Sequence, residues 1–135
     1  MKIVNEKPPI WNECNEAFKL PHGVVFPYDH VLYNPDGITV PDDLMVHESV
    51  HERQQEEMGG SAIWWAKYLQ DKNFLIDQEV QAYGAQYKFI CGKVKDKNAR
   101  YKNLHIIADQ LSSPLYGSVI AYTDAIRRIR QEATK

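Results

Sequence analysis

No stretch of this sequence approaches the roughly 18 consecutive apolar residues that a membrane-crossing helix needs, so no span and no membrane partner is expected. Cysteine is nearly missing. Cys14 and Cys91 are far apart and read as free thiols, which excludes a disulfide framework. The opening Met1-Lys2-Ile3-Val4-Asn5-Glu6 has no apolar run behind a basic cluster, so no secretory signal is read there and the expected location is cytoplasmic. Low-complexity tracts and internal repeats are also lacking, which removes linker-like and solenoid classes. Nor is there a large excess of one charge: 16 Lys and Arg stand against 18 Asp and Glu, a net −2.

What is present suits one globular domain. The chain has 135 residues, of which 44% are hydrophobic and 25% charged, enough to build a core. The near-neutral total hides a split. Residues 1–87 hold 6 basic against 14 acidic side chains, and residues 88–135 hold 10 against 4. The basic part contains Lys88, Lys93, Lys95, Lys97, Arg100 and Lys102, then Arg127, Arg128 and Arg130. No nucleic-acid motif accompanies them, so a solvated basic face is expected and no nucleic-acid partner.

Residues 1–22 read as an irregular N-terminal segment, because Pro8, Pro9, Pro21 and Gly23 punctuate them. Val24-Val25-Phe26 is a short β-prone run. Next, His30–Tyr33 and Ile38–Val40 flank Asn34-Pro35-Asp36-Gly37, which predicts a hairpin. Asp42 or Asp43 is placed to cap a helix running to Met58, where Gly59-Gly60 ends it. Further helices are expected over Ala62–Asp71, about Phe74–Cys91, about Asn98–Leu111 and about Ser118–Glu132. The last carries an apolar stripe of Ile120, Ala121, Tyr122, Ala125, Ile126 and Ile129. The fold class is therefore α+β and mostly helical, a small sheet or hairpin followed by helices.

The informative segment is His47-Glu48-Ser49-Val50-His51. On a helix, positions i and i+4 are offset by only about 40° around the axis. His47 and His51 therefore project one turn apart on one face and can offer two imidazole nitrogens to a single metal ion. Glu48 is about 100° round from His47, beside such an ion instead of on it, where a carboxylate can act as general base on a metal-bound water. Chance would produce this pattern somewhere in a chain of this composition about 1% of the time. A merely solvated helix predicts no preparation around the motif, yet a capping signal precedes it and Leu44, Met45, Val46 and Val50 flank it.

A catalytic zinc site takes three protein ligands and keeps one position open. Glu52 and Glu56 are poorly angled for this. Glu79, on the predicted third helix, is the candidate third ligand, with Asp77 as its rival. The intervening Gly-Gly stop, short helix and turn leave enough chain to bring that helix back. Ala82, Gly84 and Ala85 suit close approach to the motif helix.

His47-Glu48-x-x-His51 followed by Glu79 on a later helix resembles the gluzincin zinc metallopeptidases, in their minimal form. The surrounding words extend the likeness: Glu52-Arg53-Gln54-Gln55, Trp64-Trp65-Ala66-Lys67-Tyr68-Leu69, Val80-Gln81-Ala82-Tyr83 and Leu111-Ser112-Ser113-Pro114-Leu115-Tyr116-Gly117. Together they look like a family of small metallopeptidase-like proteins common in bacteriophage genomes, over about residues 24–122. The resemblance implies a zincin-like domain with Zn²⁺ held by His47, His51 and Glu79. It also implies Glu48 as general base, a peptide or protein substrate and, for a phage protein, residence in the host cytoplasm. A zinc-containing phage binding or structural protein that no longer cuts is the alternative. One position departs from the pattern: many larger gluzincins carry an aspartate four residues after the glutamate, to orient a histidine ligand, and Tyr83 stands there instead.

Peptide hydrolysis also needs a donor for the developing oxyanion. Tyr116 is the first candidate, because Ser112-Ser113-Pro114 would hold it on a fixed loop. Tyr83, Tyr87 and His105 are the others, and simple packing explains any of them equally well. Trp64, Trp65 and Tyr68 read as core, His22 and His30 as surface or strand residues. An edge of the Tyr28–Val40 hairpin is expected to hold an extended peptide. The charge split is read as intramolecular, with the acidic motif helix flanking a cation and the basic tail lying over it.

Overall fold

The computed structural model describes residues 1–135. Its elements are β1 (Lys2–Val4), α1 (Trp11–Ala17), β2 (Phe26–Tyr28), β3 (Val31–Tyr33), α2 (Asp42–Glu57), α3 (Ser61–Gln70), α4 (Lys72–Lys93), α5 (Lys97–Leu111) and α6 (Tyr122–Ala133). A single 3₁₀ turn, Pro114–Tyr116, separates the last two helices. This is the mostly helical α+β class that the helical spacing predicts. No helix is long and apolar enough to cross a membrane.

The sheet differs from the expected hairpin. Its order is β1-β3-β2, with β1 parallel to β3 (Ile3 opposite Leu32) and β2 antiparallel to it (Pro27 opposite Leu32). The hairpin turn is Asp29-His30, where both residues have positive φ, 48° and 64°. That is the two-residue turn whose twist matches paired strands. The segment Asn34–Gly37 is also a turn, but it does not return a strand. The Asn34 amide donates to the Ile38 carbonyl at 2.8 Å and accepts from the Ile38 N–H at 3.1 Å. Both main-chain groups that a strand at Ile38 would pair are thus taken. Both sides of β3 are occupied as well, so Ile38–Val40 has nowhere to add. Residues 1–22, read as irregular, contain β1 and α1.

Helix α2 begins after Pro41, which is its N-cap. Asp42 and Asp43 lie inside the first turn, where their charge suits the helix dipole, and neither caps it. Gly59 and Gly60, at φ 91° and 145°, turn the chain into α3. Asp71 caps α4, accepting from the Phe74 N–H at 3.1 Å. Helix α6 starts at Tyr122, later than expected, because Gly117 and Ser118 are consecutive left-handed residues (φ 83° and 51°) that no helix can include.

Helix α4 is the centre of the packing and touches α2, α3, α5 and α6. Leu75, Ile76 and Val80 of α4, Leu104 and Leu111 of α5, and Ile129 of α6 share one buried cluster with Trp64 and Trp65. Gly84 lies against α6. A Cβ there would sit 2.5 Å from Glu132 Cγ, so the small residue serves the α4–α6 crossing and not the approach to α2. The sheet is tied to the helices by Gln55. Its amide donates to the Pro27 carbonyl at 2.8 Å and accepts from Ser61 Oγ at 2.6 Å.

Candidate metal centre

The motif helix presents its histidines as the periodicity requires. His47 and His51 are both buried, with ring centroids 4.9 Å apart. Glu79 reaches them from the facing turn of α4. His47 Nε2 lies 3.1 Å from Glu79 Oε1, and His51 Nε2 lies 3.0 Å from Glu79 Oε2. Ligand atoms of the three side chains all lie within 4.8 Å of one another, the arrangement a single ion could share. Asp77, the rival ligand, is turned outward and accepts from Arg128 at 2.7 Å.

The donor atoms pass a test of fit. Buried polar atoms normally have partners. Four buried side-chain atoms have no hydrogen bond, and three of them, Glu48 Oε2, His51 Nε2 and Glu79 Oε1, belong to the cluster, the fourth being His105 Nε2. Two imidazole nitrogens and a carboxylate oxygen form the donor set of a hydrolytic zinc site. Tetrahedral bonds of such a set imply donor separations of roughly 3.3 Å, and each imidazole Nε2 lies 3.0–3.1 Å from one of the two Glu79 oxygens within a group that spans no more than 4.8 Å.

Charge on the cluster is strongly coupled. Burial alone would raise the Glu79 carboxyl, but the charge of His51 and the close approach of both imidazoles outweigh it and hold that carboxyl well below the usual range. Burial likewise opposes protonation of His51, yet the Glu79 carboxylate pushes it up to about 9. Glu48 behaves oppositely to Glu79. Burial raises its carboxyl, against the lowering pull of His47 and His51. A carboxyl poised upward and beside the ligands, 3.9 Å from His47 Nε2, suits proton transfer better than permanent charge.

Four further side chains complete the site, and the motif does not announce them. Tyr68 donates to Glu79 Oε2 at 2.6 Å. Its ring is core, as its spacing suggests, while its hydroxyl belongs to the site. Gln86 Oε1 meets His47 Nδ1 at 3.0 Å, and Gln54 Oε1 meets His51 Nδ1 at 2.8 Å. Asp43 accepts from Gln86 at 2.8 Å. The support missing at Tyr83 is thus supplied by two amides. Only their helical offsets signal this: Gln54 is three residues after His51, and Gln86 is seven after Glu79, two turns along the same face.

Of the oxyanion candidates, Tyr116 and Tyr83 come to the site, with hydroxyls 2.9 Å apart and the Tyr83 ring 4.4 Å from that of His47. Burial, reinforced by Glu79, holds both phenols far above their ordinary value, so both remain donors. Tyr87 and His105 line neither cavity beside the cluster. His105 instead bonds the Tyr122 hydroxyl. His30 is a surface residue paired with Glu52 at 3.0 Å.

Two open cavities meet at the cluster and share Val24, Val25, His47, Glu48, Leu115 and Tyr116. One, of about 70 Å³, is walled mainly by apolar groups including Phe18, Leu20 and Phe26. The other, of about 430 Å³, carries His22, Asp109, Gln110 and Ser113. The expected peptide-binding edge is altered. Strand β2 is the edge beside the site, but Pro27 has no N–H and its carbonyl already accepts from Gln55 and Trp65, at 2.8 and 3.0 Å. Comparison with protein-family models, curated proteins and solved structures gives no match to this chain.

Proposed function

We propose that the protein is a zinc-dependent peptidase of gluzincin type. The observation that carries this reading is the convergence of His47, His51 and Glu79 on one point, with unpartnered buried atoms aimed there and Glu48 alongside. Zinc held by these three side chains would supply Lewis acidity and a water acidified to a pKa of about 7. Glu48 takes the proton from the attacking water and passes it to the departing amine. Tyr116, backed by Tyr83, donates to the carbonyl oxygen as charge develops there. The apolar cavity accepts a substrate side chain next to the cleaved bond, and the polar cavity takes the chain on the other side. Phe18, Leu20 and Phe26 shape the first of these, so cleavage beside large apolar residues is favoured.

The test pairs metal analysis with turnover. Purified protein should hold about one zinc per chain, and His47→Ala should lose it. Glu48→Gln keeps the metal and lowers cleavage of a mixed peptide library by about 10² to 10⁴. Loss of zinc from Glu48→Gln would remove Glu48 from the base role. A second reading has one observation in its favour. All three ligands are buried, as in a structural site that joins helices. It predicts stoichiometric zinc with no turnover on any peptide.

A further inference from the structure

The amides of Gln54 and Gln86 can be oriented from what surrounds them. Gln86 Nε2 faces the Asp43 carboxylate at 2.8 Å, which can only accept. Its Oε1 therefore faces His47 Nδ1. Gln54 Nε2 has two acceptors, the Gln78 carbonyl and Gln81 Oε1, each at 3.1 Å. Both of its protons are used, and its Oε1 faces His51 Nδ1. An amide oxygen cannot donate, so each imidazole must carry its proton on Nδ1. In its neutral form each ring then has its lone pair on Nε2, which faces an oxygen of Glu79, 3.1 Å away for His47 and 3.0 Å for His51. With neither a proton nor a cation between them, acceptor would face acceptor on both sides.

We infer that Gln86, anchored by Asp43, and Gln54, anchored by Gln78 and Gln81, are positioning residues that lock both ligand imidazoles in the Nδ1–H tautomer and thereby commit the cluster to a divalent cation. The inference rests on the metal reading above and adds how this chain sets its ligands. Carboxylates commonly do this work elsewhere; here neutral amides do it, and the negative charge is kept one residue further out, on Asp43. The partners come from separate elements. Asp43 is in the first turn of α2, and Gln86 is two turns past Glu79 on α4. Metal affinity is therefore tied to the register of α2 against α4, and the His51 ring is tied to it again through Gln54 and Gln81.

The experiment uses the full chain, zinc titrated against a chromophoric chelator, and nitrogen-15 spectra of the histidines. In the zinc-loaded protein both rings carry a proton on Nδ1 and bind through Nε2. Metal bound through Nδ1 of either ring overturns the inference. Gln86→Met, which keeps volume and removes the amide, lowers zinc affinity about 10- to 100-fold and unlocks the His47 ring alone. Asp43→Asn combined with Gln86→Glu puts the donor on residue 43 and the acceptor on residue 86, and it restores affinity. Unchanged affinity and an unchanged His47 tautomer in a folded Gln86→Met overturn the positioning role. Should Gln86→Met fail to fold, Gln54→Met reads the same effect on His51. Failure of the metal reading looks different: the unsubstituted protein takes up no zinc.

Discussion

At the residue scale, the coupled pair His51 and Glu79 makes a pH prediction with a definite sign. The folded His51 is raised from 6.5 to about 9, so its contribution to stability is complete below 6.5 and lost as pH rises through about 9. Glu79 is depressed, so its contribution is present above its ordinary value of 4.5 and lost as pH falls. Glu48 is raised, so its contribution also declines as pH rises above 4.5. Chelator-treated protein should therefore melt at steadily lower temperature between pH 6.5 and 9. In the proposed zinc site the ion would replace the proton on Nε2, so protein that takes up zinc should lose this decline. A melting temperature of chelated protein that stays level or climbs across that window would sink the account of the cluster. The shared face of His47 and His51 was legible in the sequence, because two histidines at i and i+4 fix a geometry without help from the rest of the fold. Gln54, Gln86 and Tyr68 were not. An amide or a phenol gains its role only from what the second helix places opposite it, and a tyrosine in an aromatic stretch gives no sign that its hydroxyl reaches a carboxylate.

At the element scale, the helices were legible from their spacing and their Gly and Pro punctuation, and the sheet was not. A three-residue strand such as Lys2–Val4 has no period to detect, and it pairs with a strand nearly thirty residues away. The Asn34-Pro35-Asp36-Gly37 turn was visible, but that the Asn34 side chain would consume the bonds of Ile38 was not. The small residues of α4 were visible too, while the partner of Gly84 proved to be α6. That yields a paired test. Gly84→Ala drives a methyl against Cβ and Cγ of Glu132, 2.6 and 2.5 Å away, so α6 must shift. It should cost about 1–3 kcal/mol in denaturant unfolding. Gly92→Ala, at an exposed position of the same helix with nothing within 4 Å of the new Cβ, should gain about 0.5–1 kcal/mol from backbone entropy. Equal effects at the two positions would mean that the α4–α6 approach is not set by Gly84.

At the scale of the whole molecule, the opposite charges of the two parts of the chain do little to hold it together. The acids of α2 are used close at hand: Asp43 on Gln86, Glu52 on His30, Glu57 on Arg53, with Glu48 in the site. The tail is equally local, with Arg127 on Asp124 and Lys135 on Glu132. Arg128 to Asp77, from α6 to α4, is the one ion pair joining the two parts, and the expected basic layer over the motif helix is not formed. Lys93, Lys95, Lys97 and Lys102 are exposed and in no ion pair, a solvated face as read from their run. What fastens α6 is the burial of Ala125 and Ile129 against α4 and α5, which salt does not screen. Arg128→Ala should therefore cost less than about 1 kcal/mol, since that pair is partly exposed. Raising sodium chloride from about 0.05 to about 1 M, which shortens the screening length several-fold, should move the unfolding free energy by no more than a similar amount. Ile129→Ala should cost about 2–5 kcal/mol under either condition, because its loss leaves a cavity and not an unpaired charge. A collapse of stability in high salt, with Ile129→Ala mild, would reverse this ranking and make the charge split a cohesive feature after all.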